Sequence, residues 1–208
     1  MWDDGLVTDL KLIEILYKFN VTACFAISPS RHKKTRKKND HRGDYGEIVS
    51  LSELKEFSNF EICNHTNNHI DLNKVDRDVA YSEIMEGNKK LEDIFERKIK
   101  GFCYPYGVYT NASISILKEH NFLYARTTLK KDNIVENNLL LKTTGKWNEF
   151  ELNELMNLDK KIILWGHTYE IKNKKDWDRI EDMYYFFAKH PDIKIISFEE
   201  MVKKTCLY

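Results

Sequence analysis

The chain has 208 residues, and its 33 Lys and Arg side chains balance 33 Asp and Glu, giving a formal net charge of zero. Bulk positive charge, the usual basis of adhesion to nucleic acid or an anionic membrane, is excluded, so any basic surface is local. At 42% hydrophobic and 12% aromatic the sequence is too apolar for intrinsic disorder, and its length suits one domain over residues 1–208. Four cysteines, at 24, 63, 103 and 206, form no C-x-x-C pair, which favours free thiols in a reducing compartment. No run approaches the roughly 20 apolar residues of a membrane span. Met1-Trp2-Asp3-Asp4 is not a secretory leader, and the expected location is cytoplasmic.

Short apolar runs alternate with stretches of helical spacing, which predicts an α/β fold. Asp3-Asp4-Gly5 reads as a tight turn, and Thr8 as the cap of a helix carrying Leu12, Ile13, Leu16, Tyr17 and Phe19. Residues 21–27 read as a buried strand. Between Arg31 and Arg42 stand seven Lys and Arg, two His and one Asp, expected as a solvated loop. A helix over 51–57, a strand over 60–63, a long helix over 76–95 and a strand over 99–104 come next. A helix capped by Thr110 or Asn111 precedes strands at 123–128, 139–141 and 162–165. The reading ends with a helix over 177–189, bearing an aromatic run that packs rather than binds, and a strand over 193–197. His120 and His190 fall at helix ends, where an imidazolium suits the macrodipole.

The unusual polar residues follow the strands: His65 and His69, Pro105 and Tyr106, Arg126, and His167. In parallel α/β sheets the carboxyl ends of the strands share one face, so these residues can converge. Two histidines four apart, in Asn64-His65-Thr66-Asn67-Asn68-His69, point the same way if the segment turns helically, and two imidazoles can then grip one metal ion. Asp3-Asp4 offers one carboxylate as a third ligand and its neighbour as a base. Taken singly, each pattern is also at home in an ordinary loop or turn. Cys63 beside His65 has no second cysteine at ligand spacing, which argues against a structural zinc site.

Taken in order, these pieces resemble the polysaccharide deacetylase family, the NodB-homology domain of carbohydrate esterase family 4, over nearly the whole chain. Trp2-Asp3-Asp4-Gly5 looks like its first motif, His65-Thr66-Asn67-Asn68-His69 its second, Tyr104-Pro105-Tyr106-Gly107 its third, and Leu164-Trp165-Gly166-His167 its last. The resemblance implies a distorted (β/α) barrel that removes an acetyl group from an N-acetylated sugar with one divalent metal. That metal is usually zinc; cobalt, nickel or iron also suit an Asp-His-His set. By the same resemblance Asp4, His65 and His69 hold the metal and Asp3 acts as base. The backbone N–H of Tyr106, fixed by Pro105, meets the oxyanion, and His167 protonates the departing amine. Trp147 and Trp165, near predicted strand ends, are candidates to stack on the sugar.

The sequence departs from the family pattern at three places. Cys103 stands where many members carry an arginine that orients the base, and Arg126, at the end of a neighbouring strand, is expected to take that role. Trp147 has no Asp beside it to tether the acid histidine, which leaves Glu149 or Glu170. Only Met1 and Trp2 precede the Asp pair, so the first barrel strand is expected to be truncated, short of about six residues. The basic stretch after residue 27 is expected to overhang the site and to favour an anionic glycan or glycan precursor. Two other readings of the same residues are a carbohydrate-binding relic and a hydrolase of a non-sugar amide.

Overall fold

The computed structural model describes residues 1–38, 46–130, 137–156 and 161–205. Strand β1 (Trp2–Asp3) leads through the Asp4-Gly5 turn into helix α1 (Val7–Phe19) and then β2 (Cys24–Ile27). A two-stranded antiparallel hairpin, β3 (Lys37–Lys38) and β4 (Glu47–Ile48), follows. The chain continues through β5 (Glu61–Asn64), α2 (Arg77–Phe95), β6 (Gly101–Cys103), α3 (Asn111–Glu119) and β7 (Tyr124–Lys130). Then come β8 (Leu141–Thr143), β9 (Gly145–Lys146), α4 (Leu152–Met156), β10 (Leu164–Trp165), α5 (Lys174–Lys189) and α6 (Phe198–Thr205).

Six strands form one parallel sheet in the order β1-β2-β5-β6-β7-β8, curled into a half-barrel. A parallel pair, β9 and β10, stands beside it and meets the first strand through a Trp2–Gly166 bridge. This is the expected distorted (β/α) barrel. Among the described residues no helix is long and apolar enough to cross a membrane.

Alternation along the strands sorts side chains into layers. Phe25, Ile27 and Ile62 point outward and join Leu12, Leu16, Ile180 and Met183 of α1 and α5. Phe102 and Ala125 point outward against Ala80, Ile84 and Ile116 of α2 and α3. Cys24, Ala26, Cys63, Cys103 and Tyr124 point into the barrel, where the three thiols are free and buried. Asp76 and Thr110 cap α2 and α3, their side chains accepting from Val79 N at 2.9 Å and Ser113 N at 3.1 Å. Gly87 lets α2 approach the turn after β5: a Cβ there would lie 2.9 Å from the Asn67 backbone nitrogen.

Four local expectations are corrected. Leu6, not Thr8, is the cap of α1; its N–H donates to the Asp9 carboxylate at 2.7 Å, while the Thr8 hydroxyl is engaged with Thr168 at 2.6 Å. Residues 51–57 form tight 3₁₀ turns rather than an α-helix. The apolar run at 139–141 is mostly a 3₁₀ turn leading into β8. Residues 193–197 form no strand but lead, partly exposed, into α6, whose first N–H groups donate to the half-buried Glu61 carboxylate at 2.7 and 2.9 Å. That carboxylate at a helix N-terminus, with Glu199 and Glu200 in the first turn and Lys203 and Lys204 in the last, explains the helix. Residues 39–42 of the basic stretch, and Cys206, lie outside the described residues.

Candidate active site

The carboxyl ends of β1, β5, β6 and β10 bring the motif residues together. Ligand atoms of Asp4, His65 and His69 all lie within 4.8 Å of one another, and all three residues are buried. The segment from His65 to His69 is not a helical turn as expected. It is a loop in which Thr66 (φ 58°) and His69 (φ 60°) take left-handed backbone, and Asp4 does the same at φ 86°. Such strain is held by surrounding bonds: Ser28 Oγ donates to His65 O at 2.6 Å, and Ile70 N to Thr66 Oγ1 at 3.1 Å.

His65 Nδ1–H donates to the Cys103 carbonyl at 2.7 Å, which fixes the tautomer and leaves Nε2 as the ligand atom. Burial pushes its pKa down, keeping the imidazole neutral. Burial alone would raise the Asp4 carboxyl, but His69, His167, His65 and Arg31 together hold it down to about 2. Arg31 Nη1 stands 3.2 Å from Asp4 Oδ1. Two imidazoles and a carboxylate, buried and convergent, fit a divalent cation such as zinc.

Asp3 is held by Arg126, whose Nη2 donates to Asp3 Oδ1 at 2.5 Å and also to Oδ2. Arg126 is fully buried and lies within β7, not at its end, opposite Cys103 in the parallel ladder. Its Nη2 also reaches Cys103 Sγ at 2.8 Å. Asp3, His65 and Cys103 form a second convergent group. The guanidinium already bridges Asp3 and Cys103, and burial pushes the thiol pKa well up, so this group does not suit a metal.

His167 Nε2 lies 3.9 Å from carboxylate oxygens of both Asp3 and Asp4. Its Nδ1 faces Glu170 Oε1 at 3.4 Å, and Glu170 also accepts from Lys146 Nζ at 2.6 Å and Trp147 Nε1 at 3.2 Å. Burial opposes a charged imidazole, but the Glu170 bond and the two aspartates outweigh it and raise the His167 pKa. Glu170 in turn, despite burial, is held down to about 2 by His167 and Lys146. Glu149, the other candidate carboxylate, pairs with Lys130 at 2.7 Å and is not among the partners of His167.

Pro105 opens a 3₁₀ turn that throws Tyr106 to φ 60° and Gly107 to φ 72°. A side chain at Gly107 would sit 2.0 Å from Thr128 Oγ1, so only glycine lets this turn rest on β7. The Tyr106 ring lies 4.9 Å from that of His69. Trp147 is buried against Trp2 and is no sugar platform. Trp165 has Arg126 and Lys146 each 5.1 Å from its ring and meets His167 edge-on at 5.7 Å. Tyr169, which carries no motif signal in the sequence, stacks on His167 at 4.6 Å.

Residues 1–125 match the family model for polysaccharide deacetylase. The chain belongs to the polysaccharide deacetylase family. Solved structures sharing its fold include the Streptococcus pyogenes deacetylase PplD in complex with acetate, 20% identical, with TM-score 0.57 over 68% of this chain and 62% of that one. Another is BC0361, a polysaccharide deacetylase from Bacillus cereus, 22% identical, with TM-score 0.53 over 67% of this chain and 44% of that one. The Xyl-CE4 domain of a multidomain xylanase from the hindgut metagenome of Trinervitermes trinervoides is 14% identical, with TM-score 0.63 over 100% of this chain and 89% of that one. The chain thus spans less than two thirds of the first two proteins. No curated protein matches it by sequence. The region of this chain that matches the family ends at residue 125, so Arg126, His167 and Glu170 stand outside it and enter the site through the fold.

Proposed function

We propose that this protein is a metal-dependent hydrolase that removes the acetyl group from an N-acetylated sugar. The observation that carries the reading is the meeting of Asp3, Asp4 and His167 at 3.9 Å beside the two histidines. Asp4, His65 and His69 would hold one divalent cation, zinc by preference, which when bound polarises the amide carbonyl and acidifies water. Asp3, oriented by Arg126, takes a proton from water as its oxygen adds to the acetyl carbon. The backbone N–H of Tyr106, in the turn begun by Pro105, donates to the developing oxyanion. His167, whose protonated form Glu170 favours, gives a proton to the nitrogen as the C–N bond breaks, releasing acetate and a free amine. Trp165 contributes to the substrate side of the site through its edge on His167.

The substrate is an N-acetylated polysaccharide, glycan or glycan precursor with anionic character. Support comes from Arg31 at Asp4 and from the exposed Lys33, Lys34, Lys37 and Lys38 that follow it. The test is acetate release by zinc-reconstituted protein from N-acetylhexosamine polymers, nucleotide-linked and lipid-linked sugars, at low and high salt. Turnover that falls with salt supports an anionic substrate, and a flat response removes that part. A metal-loaded protein that releases no acetate from any of them overturns the enzyme reading in favour of a carbohydrate-binding relic.

A further inference from the structure

The acid histidine and the Asp3-Asp4 pair sit on separately paired strands. His167 follows β10, whose ladder partner is β9, whereas Asp3 ends β1 of the main sheet and Asp4 follows it in the turn. The strands themselves meet at the Trp2–Gly166 bridge, where Asp3 N donates to Gly166 O at 3.1 Å. Glu170 ties the turn carrying His167 to the β9 side through Lys146 and Trp147, so its placement against the Asp3-Asp4 turn needs a second hold from the α1 side.

That hold is a buried side-chain relay. Asp9 and Thr168 are both fully buried. Thr168 Oγ1 donates to Asp9 Oδ1 at 2.6 Å, and Asp9 Oδ2 accepts the N–H of Leu6, two residues after Asp4, at 2.7 Å. Because the Thr168 proton is committed to Asp9, Thr8 is the donor in the 2.6 Å Thr8–Thr168 contact. Two residues of the first turn of α1 therefore grip the residue next to His167.

We propose that Asp9 and Thr168, with Thr8, are positioning residues that lock His167 in register with the Asp3-Asp4 turn. The inference rests on the reading of His167 as the acid. The relay holds no substrate atom; it sets where His167 Nε2 stands. A displacement of about 1 Å at such a distance from the chemistry can cost on the order of 100-fold in rate. The lock matters most for reactions whose leaving group needs a proton.

The test compares wild type, Thr168→Val and Thr168→Ser, all zinc-loaded, at pH 8. Acetate release is measured from an N-acetylglucosamine tetramer, an amide, and from 4-nitrophenyl acetate, whose phenolate leaves without help. In Thr168→Val we expect kcat on the amide to fall at least ~10-fold more than turnover of the ester, with KM little changed. The His167 ¹⁵N resonances should shift in Thr168→Val, and Thr168→Ser should restore both resonances and rate. If wild type cleaves the tetramer and Thr168→Val retains its amide-to-ester ratio, the inference is overturned alone. It is likewise overturned if Thr168→Val loses melting temperature and both activities in parallel and Thr168→Ser does not restore them. If wild type releases no acetate from the tetramer or from any other amide substrate of the panel above, the acid reading fails and the inference falls with it.

Discussion

Replacing Arg126 with Met removes the guanidinium while keeping most of the apolar stem. The side chains of Arg126 and Asp3 are 0% and 4% exposed, and the pair makes bonds from Nη2 to both carboxylate oxygens. Water cannot replace the lost partner, so the buried Asp3 carboxylate keeps only His167, 3.9 Å away, as a counter-charge, a change that costs about 3–5 kcal/mol. For a domain of this size that lowers Tm by roughly 6–20 °C. Asp3→Asn strands the guanidinium instead and should cost a similar amount. The double variant leaves no uncompensated charge, so its loss should fall short of the sum by about 2–3 kcal/mol. Urea unfolding of the four proteins measures this coupling, and acetate release should be lost in every variant. A coupling near zero, or an Arg126→Met variant within about 1 kcal/mol of wild type, would refute the assignment of Arg126 as the support of Asp3.

Zinc at 100 times its Kd should stabilise the protein by about 2.7 kcal/mol. That rise in melting temperature should vanish in His65→Ala and His69→Ala but persist in Asp3→Asn, and a rise kept by the histidine variants would remove them as ligands. Gly87→Ala tests the approach of α2: helix propensity alone favours Ala by about 1 kcal/mol. The Cβ would meet backbone of the Asn67 turn at 2.9 Å, so we expect a net loss of about 1–3 kcal/mol and weaker zinc binding; a stabilised variant contradicts this. Asp9 is raised from 3.8 to about 7 by burial, against its bonds from Thr168 and Leu6. The folded state therefore binds more protons than the unfolded one between about pH 4 and 7, and this carboxyl's contribution to stability falls as pH rises, by up to roughly 4 kcal/mol. Asp9→Asn should accordingly gain stability relative to wild type from pH 4.5 to 8 in urea titrations. A difference constant with pH would show that Asp9 does not titrate in this window.

Much of the site was legible because its members lie at the ends of short apolar runs. Parallel strands bring their carboxyl ends to one face, so Asp3, Asp4, His65, His69 and His167 were placeable without coordinates. The backbone that delivers the histidines was not: a spacing of four suggests a helical turn, and only tertiary bonds hold Thr66 and His69 at positive φ. Glu170 and Glu149 were indistinguishable in sequence, since both stand near an aromatic residue and a lysine. The 3₁₀ turn after His167 decides for Glu170, three residues on. The run at 193–197 carries β-branched residues typical of strands, yet finds no ladder partner among the described residues, and the helix signals lie just beyond it. Trp147 kept the aromatic character expected of a platform but is committed to the core.

The crossing of Arg126 to Asp3, the proposed base, has a wider consequence for how such barrels store chemistry. Cys103 and Arg126 face each other across the ladder between β6 and β7, and both point inward. A charge can therefore be supplied from either strand, provided the opposite position shrinks to make room, as a thiol does here. The unit that carries the role is a volume at one level of the barrel, not a column in a sequence motif. A search that demands arginine at position 103 would class this chain as defective, whereas one that asks what fills the space beside Asp3 finds the guanidinium in place.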